Sequence, residues 1–339
     1  MKMTPFLTVL ALAAGATPVW AQSTAQLSGV VDLFAGQRQL AGAAKLMKLD
    51  SGGLTTSRWA IEGTEDLGGG QKAVFGLSSF IRADTGEPGR TPTDRYWARY
   101  SFVGVQGGWG LLRLGRVGTP TFVNAIRFSP FADSTTFGPY MQHVYTGGQS
   151  MVTPMNVPDS AADNAIAYSS PNLAGLTGTA MVSLGESNTA GDRWVAALHY
   201  STGALAVGLG GERVKAPHSL PTGVSQINNL QAGVSWDLKV VKAFGTYSTS
   251  EMAIAAGIRQ LDTWQVGLTA PIGVGLAKLA YVSTRKTEPA LAEATRRTLA
   301  LGYDHALSRR TELYTVLARD EVTRQTTGNT WVAGIRHRF

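Results

Sequence analysis

The side chains able to do acid–base, nucleophilic or metal chemistry are few and far apart. The five histidines, His143, His199, His218, His305 and His337, stand singly, with no H-E-x-x-H and no pair at metal-ligand spacing. There is no cysteine, so neither a thiolate nucleophile nor a disulfide framework is available. The glycines of "LGGG" at 67–70 open no helix and read as a turn, not a nucleotide loop. No cofactor is expected. What remains is charge set in alternation. Arg58 and Glu62 fall opposite Trp59 and Ile61, and Arg82 opposes Ile81. Arg99 opposes Tyr100 and Phe102, while Asp32 and Arg38 oppose Val31, Leu33 and Ala35. A strand sends successive side chains to opposite faces, so these charges gather on faces that the apolar residues leave free. Fixed charges along a path act through their field on passing ions, not through bond making.

Such faces require strands with one side in an apolar medium. Period-two runs recur along the chain, as in Lys72–Ala83, Trp264–Ala270 and Arg297–Asp304, each followed by a turn or a polar loop. Short connections fall at 65–70, 106–109, 171–174, 201–203, 237–239, 271–273 and 307–310. Longer polar ones fall near 39–54, 84–94, 118–163, 185–193, 215–228, 250–262, 286–296 and 321–329. Seven short and eight long connections separate sixteen strands: 27–38, 55–64, 72–83, 95–105, 110–117, 164–170, 175–184, 194–200, 204–214, 229–236, 240–249, 263–270, 274–285, 297–306, 311–320 and 330–339. The expected fold is all-β, a sixteen-stranded antiparallel transmembrane barrel with short turns on one side of an outer membrane and long loops on the other.

The bilayer accounts for that pattern. Hydrocarbon offers no hydrogen-bond partner, so a spanning sheet must close on itself. Outward positions must be apolar and inward ones can be polar, which gives clear alternation at a mean hydropathy of only -0.01. Trp97, Trp194, Trp264 and Trp331 each open a strand after a long loop, and Trp109 and Trp236 lie by short turns, where interfacial aromatics belong.

The first 21 residues stand apart. Lys2 supplies a small positive region, Phe6 to Ala16 a short apolar one, and Val19-Trp20-Ala21 a small-residue cleavage site, so 1–21 is expected to be a cleaved secretory signal before a barrel domain at 22–339. The formal charge of +7 includes Lys2 and no acid from this stretch, which leaves +6 on the mature chain. An exported chain rarely meets nucleic acid, so the basic balance points to a positively charged transit path.

"SRWAIEGTEDLGGGQKAVFGL" at 57–77 resembles the general trimeric porins of β-proteobacteria. The resemblance continues in "LSGVVDLFAG" 27–36, "RYSFVGVQGGWGLLRLGR" 99–116, "DNAIAYSSPNLAG" 163–175, "LGYDHALSRRTELYTVLAR" 301–319 and the closing "GIRHRF", in order along the mature chain. It implies a homotrimer in the Gram-negative outer membrane, among lipids and lipopolysaccharide, that passes small hydrophilic solutes by diffusion. It also implies that the third long loop, here 118–163, folds into the barrel as a constriction. The start of that loop is expected to line the pore, and 141–160 to lean out or cover its mouth.

Arg58 and Arg99 match positions where such porins carry the basic wall of the constriction, with Arg38, Arg82, Arg116 and Arg127 as weaker additions. Arg116, at the loop hinge, either lines the pore or ties the loop to the wall. Across from them Asp133 is the best acidic candidate, followed by Asp159 and Asp163. The family often carries an acid near Ser78 and a base near Ala161, and this chain has neither. The net expectation is a modest anion preference, hence small anionic solutes. Two alternatives stay open: a substrate-specific channel of the same fold, and a barrel hydrolase with His143 or His218 at a rim. In the tail "TWVAGIRHRF", Trp331, Ala333, Ile335, His337 and Phe339 share one parity, toward lipid, and Arg336 and Arg338 the other, toward water. The resemblance makes terminal Phe339 the signal read by the outer-membrane assembly machinery.

Overall fold

The computed structural model describes residues 23–145, 159–186, 192–215, 220 and 223–339; the expected signal at 1–21 lies outside them. The chain runs as β1 (Thr24–Arg38), β2 (Leu46–Ser51), β3 (Arg58–Gly68), β4 (Gln71–Arg82), β5 (Glu87–Pro88), β6 (Tyr100–Gly107), β7 (Gly110–Gly118), α1 (Pro120–Arg127) and α2 (Pro139–Val144). It continues as β8 (Ala161–Ser169), β9 (Leu176–Ser183), β10 (Arg193–Thr202), β11 (Leu205–Lys215), β12 (Val224–Asp237) and β13 (Lys242–Ile254). The wall ends with β14 (Gly257–Ile272), β15 (Gly275–Thr287), β16 (Ala294–Ala306), β17 (Thr311–Val322) and β18 (Gly328–Arg338).

Neighbouring wall strands pair antiparallel, and β1 pairs with β18 through Val31↔His337 and Leu33↔Ile335, which closes the barrel. β2 and β3 share one wall position: β2 covers the loop end of β1 and β3 the turn end. β5 pairs only with the end of β4. Sixteen wall positions result, as the alternating loop lengths predict.

The barrel is inside-out by composition. Along β12, Leu230, Val234 and Trp236 are exposed, while Asn229, Gln231 and Ser235, on the opposite parity, are buried. Apolar side chains meet lipid, and the polar row turns inward. Trp194, Trp264 and Trp331 are exposed toward the long loops, and Trp109 and Trp236 toward the short turns, which makes two aromatic girdles. No helix among the described residues is long and apolar enough to cross a membrane.

Several expectations need correction. The segment 250–262, expected as a long loop, is strand up to Ile254 and again from Gly257. The segment 39–54, read as a loop, contains β2, and the second strand is interrupted at 52–57, where the chain bends inward. Asp32 causes this. It projects inward from β1 and its carboxylate accepts from the backbone N–H groups of Gly53 (3.1 Å), Leu54 (2.9 Å) and Thr55 (2.8 Å), and from the Tyr314 hydroxyl (2.5 Å). A buried carboxylate must be satisfied, and here the interrupted strand supplies the donors. The strand expected at 95–105 begins only at Tyr100, so parity cannot orient Arg99. Tyr100 and Phe102 face the lumen, not lipid: the Tyr100 hydroxyl donates to Glu62 at 2.5 Å, and the Phe102 ring lies beneath Arg113 at 5.6 Å. Lastly, Arg336 does not reach water; it is nearly buried among Glu312, Asp304 and Thr55.

The core lies inside the barrel, where the long loop after β7 packs on the wall. Phe131 and Phe137 of the loop join Phe34, Leu54, Tyr314 and Val316. Tyr140, Met141 and Val144 of α2 join Ala125 and Val282. Residues 141–145 are therefore buried, not leaning out of the mouth; 146–158 fall outside the described residues.

Candidate pore constriction

The loop enters the barrel through local chemistry legible residue by residue. Thr119 caps α1, its hydroxyl accepting from the Phe122 N–H at 3.4 Å, and Pro120 takes the first helical position, where its missing N–H costs nothing. Phe128 ends the helix and drives into the wall. A Cβ at Gly233 would lie 2.4 Å from its ring, so the wall is bare there to admit it. The Phe128 carbonyl then accepts from Thr246 (2.9 Å) and Gln265 (3.0 Å).

Buried charge fixes both ends of the loop. Arg193 and Glu212, side chains fully buried, pair at 2.7 Å. Glu212 also accepts from Thr121 at 2.8 Å, and Arg193 donates to the Asp159 carbonyl at 3.0 Å. One ion pair on β10 and β11 thus holds the outgoing and the returning limb. At the far wall His143 sits fully buried between the hydroxyls of Thr284 (2.7 Å) and Thr298 (2.8 Å), and burial, then nearby Arg296, holds its imidazole well below its usual pKa. This histidine is sealed between the inserted loop and the wall, not set at a rim as a hydrolase would need, and His218 lies outside the described residues.

Between loop and wall runs a cavity of about 420 Å3, bordered by Arg58, Arg90, Arg99, Arg113, Arg127 and Asp133. Among the described residues Asp133 is the one carboxylate bordering it. Arg58 meets it at 3.1 Å, and the Thr55 hydroxyl donates to its other oxygen at 3.0 Å. Arg99 lies over the Tyr100 ring at 4.7 Å and reaches Ser78 at 3.5 Å. Arg90 is paired with Asp94 (2.7 Å) and Asp159 (2.9 Å). Arg99, Arg113 and Arg127 make no ion pair among the described residues, and the undescribed segments contain no Asp or Glu. Three guanidinium groups without an ion-pair partner therefore border a cavity whose one carboxylate, among the described residues, is already held by Arg58.

The remaining expected site residues lie elsewhere. Arg116 hydrogen-bonds the Ala98 carbonyl at 2.7 Å and pairs with Asp159 and with Asp163 (2.8 Å), so it ties the loop to the wall. Asp159 and Asp163 are thereby taken up by Arg90, Arg95 and Arg116, and neither borders the cavity. Burial alone would raise the Asp159 carboxyl, but Arg90 and Arg116 bring it down to about 2. Arg82 turns back on Glu87 at 2.7 Å, and Arg38 ends β1 opposite Leu46. Neither they nor Glu62 borders this cavity. Sequence reading passed over Arg90 and Arg113. Arg113 shares its parity with Leu111, which hid its face, and Arg90 sits in a loop with no periodicity to read.

Nearly the whole chain, residues 7–325, matches the family model described as Gram-negative porin. The outer membrane porin protein 32 of Delftia acidovorans is 30% identical, over 92% of this chain and 88% of its own. An outer membrane porin of Bordetella pertussis is 26% identical, over 84% and 82%. Among solved structures, an anion-selective porin from Comamonas acidovorans superposes with a TM-score of 0.79 at 27% identity, covering 94% of this chain and all of that one. With a closed sixteen-stranded wall, aromatic girdles and a charged passage beneath an inserted loop, the chain belongs to the Gram-negative porin family of outer-membrane diffusion channels.

Proposed function

We propose that the passage prefers anions, that 118–163 sets its narrowest part, and that Arg58, Arg99 and Arg127 face Asp133 there. One observation carries this reading: Arg99, Arg113 and Arg127 border the passage without a carboxylate partner, while Asp133 is held by Arg58 and Thr55. Low-dielectric walls focus the field of unpaired charges, so anions accumulate and cations are repelled. The solved anion-selective relative supports the same sign. Small hydrophilic anions would cross by diffusion.

The chain is further proposed to assemble as a homotrimer among outer-membrane lipids and lipopolysaccharide, after loss of 1–21 and recognition of Phe339 by the assembly machinery. Exposed Phe339 closes the last pairing, its backbone exchanging two 3.1 Å hydrogen bonds with Gly29. Cross-linking of the outer-membrane protein tests the trimer; a monomer band alone would refute it.

Planar bilayers under a potassium chloride gradient test the selectivity. Arg99→Glu and Arg127→Glu should each move the reversal potential toward the potassium value. Unchanged potentials in both would remove these residues from the passage.

A further inference from the structure

We propose a second anion station on the short-turn side of the constriction, built on Arg113 with Ser169, Thr177 and Thr179, for the oxyanion group of a permeating solute. It rests on the anion-preferring reading above and adds where, and by which donors, an oxyanion pauses.

Arg113 lies close to the β6–β7 turn, level with Gly104 and Ala167 of its neighbours, whereas Arg58 and Arg99 sit by the long-loop ends of their strands. Its side chain borders both the 420 Å3 cavity and a second one of about 260 Å3 nearer the turns, so a solute moving between the two passes it. The guanidinium is underused. Among the described residues its Nε is buried without a partner, and its one hydrogen bond is a long 3.5 Å contact to the Ser169 hydroxyl. Glu62 borders the lower cavity and keeps its charge, one carboxylate oxygen accepting from the Tyr100 hydroxyl, so the oxyanion is drawn to the upper side of Arg113, where the three hydroxyls lie.

Beside it Thr179 donates to Ser169 at 3.1 Å, and Thr177 makes only a 3.5 Å contact to the His199 carbonyl. These three hydroxyls border the cavity with Arg113. A planar fork of N–H donors backed by rotatable hydroxyls matches a carboxylate or phosphate, with several acceptor oxygens, better than chloride. The Phe102 ring on the other side of the guanidinium holds it in place. An oxyanion leaving Arg99 would exchange one set of donors for another, and need not enter water unpaired.

Inorganic phosphate at pH 7 is the probe, titrated against the chloride current of single channels. The parent reversal potential is recorded first, since its sign judges the anion-preferring reading independently of the phosphate curve. Phosphate should block the parent reversibly, and Arg113→Gln should raise its half-blocking concentration by about tenfold. Thr177→Val with Thr179→Val should raise it by roughly threefold. If Arg113→Gln fails to insert, Arg113→Lys decides, since it keeps the charge and loses the fork; its curve should also shift upward. An anion-preferring parent that phosphate does not block, or a block curve unmoved by the Arg113 variants, would overturn the station.

Discussion

Arg58 and Asp133, 75 residues apart in sequence, meet at 3.1 Å inside the barrel. Each modifies what the other can do in the passage, since a paired carboxylate repels anions less and a paired guanidinium attracts them less.

Removing the acid should therefore sharpen the preference. Asp133→Asn keeps the Thr55 contact and frees Arg58, and the chloride-to-potassium permeability ratio should rise roughly twofold or more. Arg58→Glu should lower it by at least as much. Reversal potentials measured side by side check both, and a fall in Asp133→Asn would show that the acid does not border the ion path.

The Arg193–Glu212 pair should be the costliest polar contact to break. Arg193→Met strands a fully buried carboxylate between the limbs of the loop, with an expected loss of about 3–5 kcal/mol. Urea titration in detergent gives the stability, and single-channel recordings should show a noisier current as the loop loosens. A variant as stable as the parent, with a quiet trace, would mean that the loop is held elsewhere.

Asp32 should matter less for ions than for shape. Asp32→Ala removes the acceptor of three backbone N–H groups and the Tyr314 hydroxyl, and should cost about 2–4 kcal/mol. It should also release 52–57, which carries Thr55 and thereby Asp133. Faster hydrogen exchange at Gly53, Leu54 and Thr55 is the expected signature, and parent-like protection would contradict it.

Acid should weaken the loop in two steps of known sign. His143 is neutral when folded and its pKa lies below the usual value, so the unfolded chain binds the extra proton. Stability is present above about pH 6.5 and declines as pH falls below it. Asp159, brought to about 2, adds stability above its ordinary value that is lost as pH falls from about 4 toward 2. Thermal midpoints between pH 8 and pH 5 should fall in the parent and fall less in His143→Gln. Equal slopes would assign the acid sensitivity to other groups.

How much of this was legible follows from which physical signals act locally. Lipid contact imposes alternation on every wall strand, so strand number, sidedness and the girdle tryptophans could be read from the chain. Thr119-Pro120 and Gly138-Pro139 are ordinary helix starts, yet the helices they open are too short for a stripe to reveal. The interruption at 52–57 was hidden because its cause, Asp32, sits on another strand and the Tyr314 partner on a third. Tyr100 and Phe102 misled because aromatics usually mark the lipid face, whereas here they carry Arg99 and Arg113 on the lumen side. The inward role of Arg336 depends on Glu312 and Asp304, acids set beside it by the register of β16, β17 and β18.

The most direct test of the whole account is the reversal potential of the unaltered channel in a planar bilayer under a potassium chloride gradient. Three arginines without an ion-pair partner along a passage whose one bordering carboxylate is held by Arg58 predict a potential of the chloride sign, with chloride several-fold more permeant, on the order of the enrichment expected from a focused field. A potential of the potassium sign would contradict it.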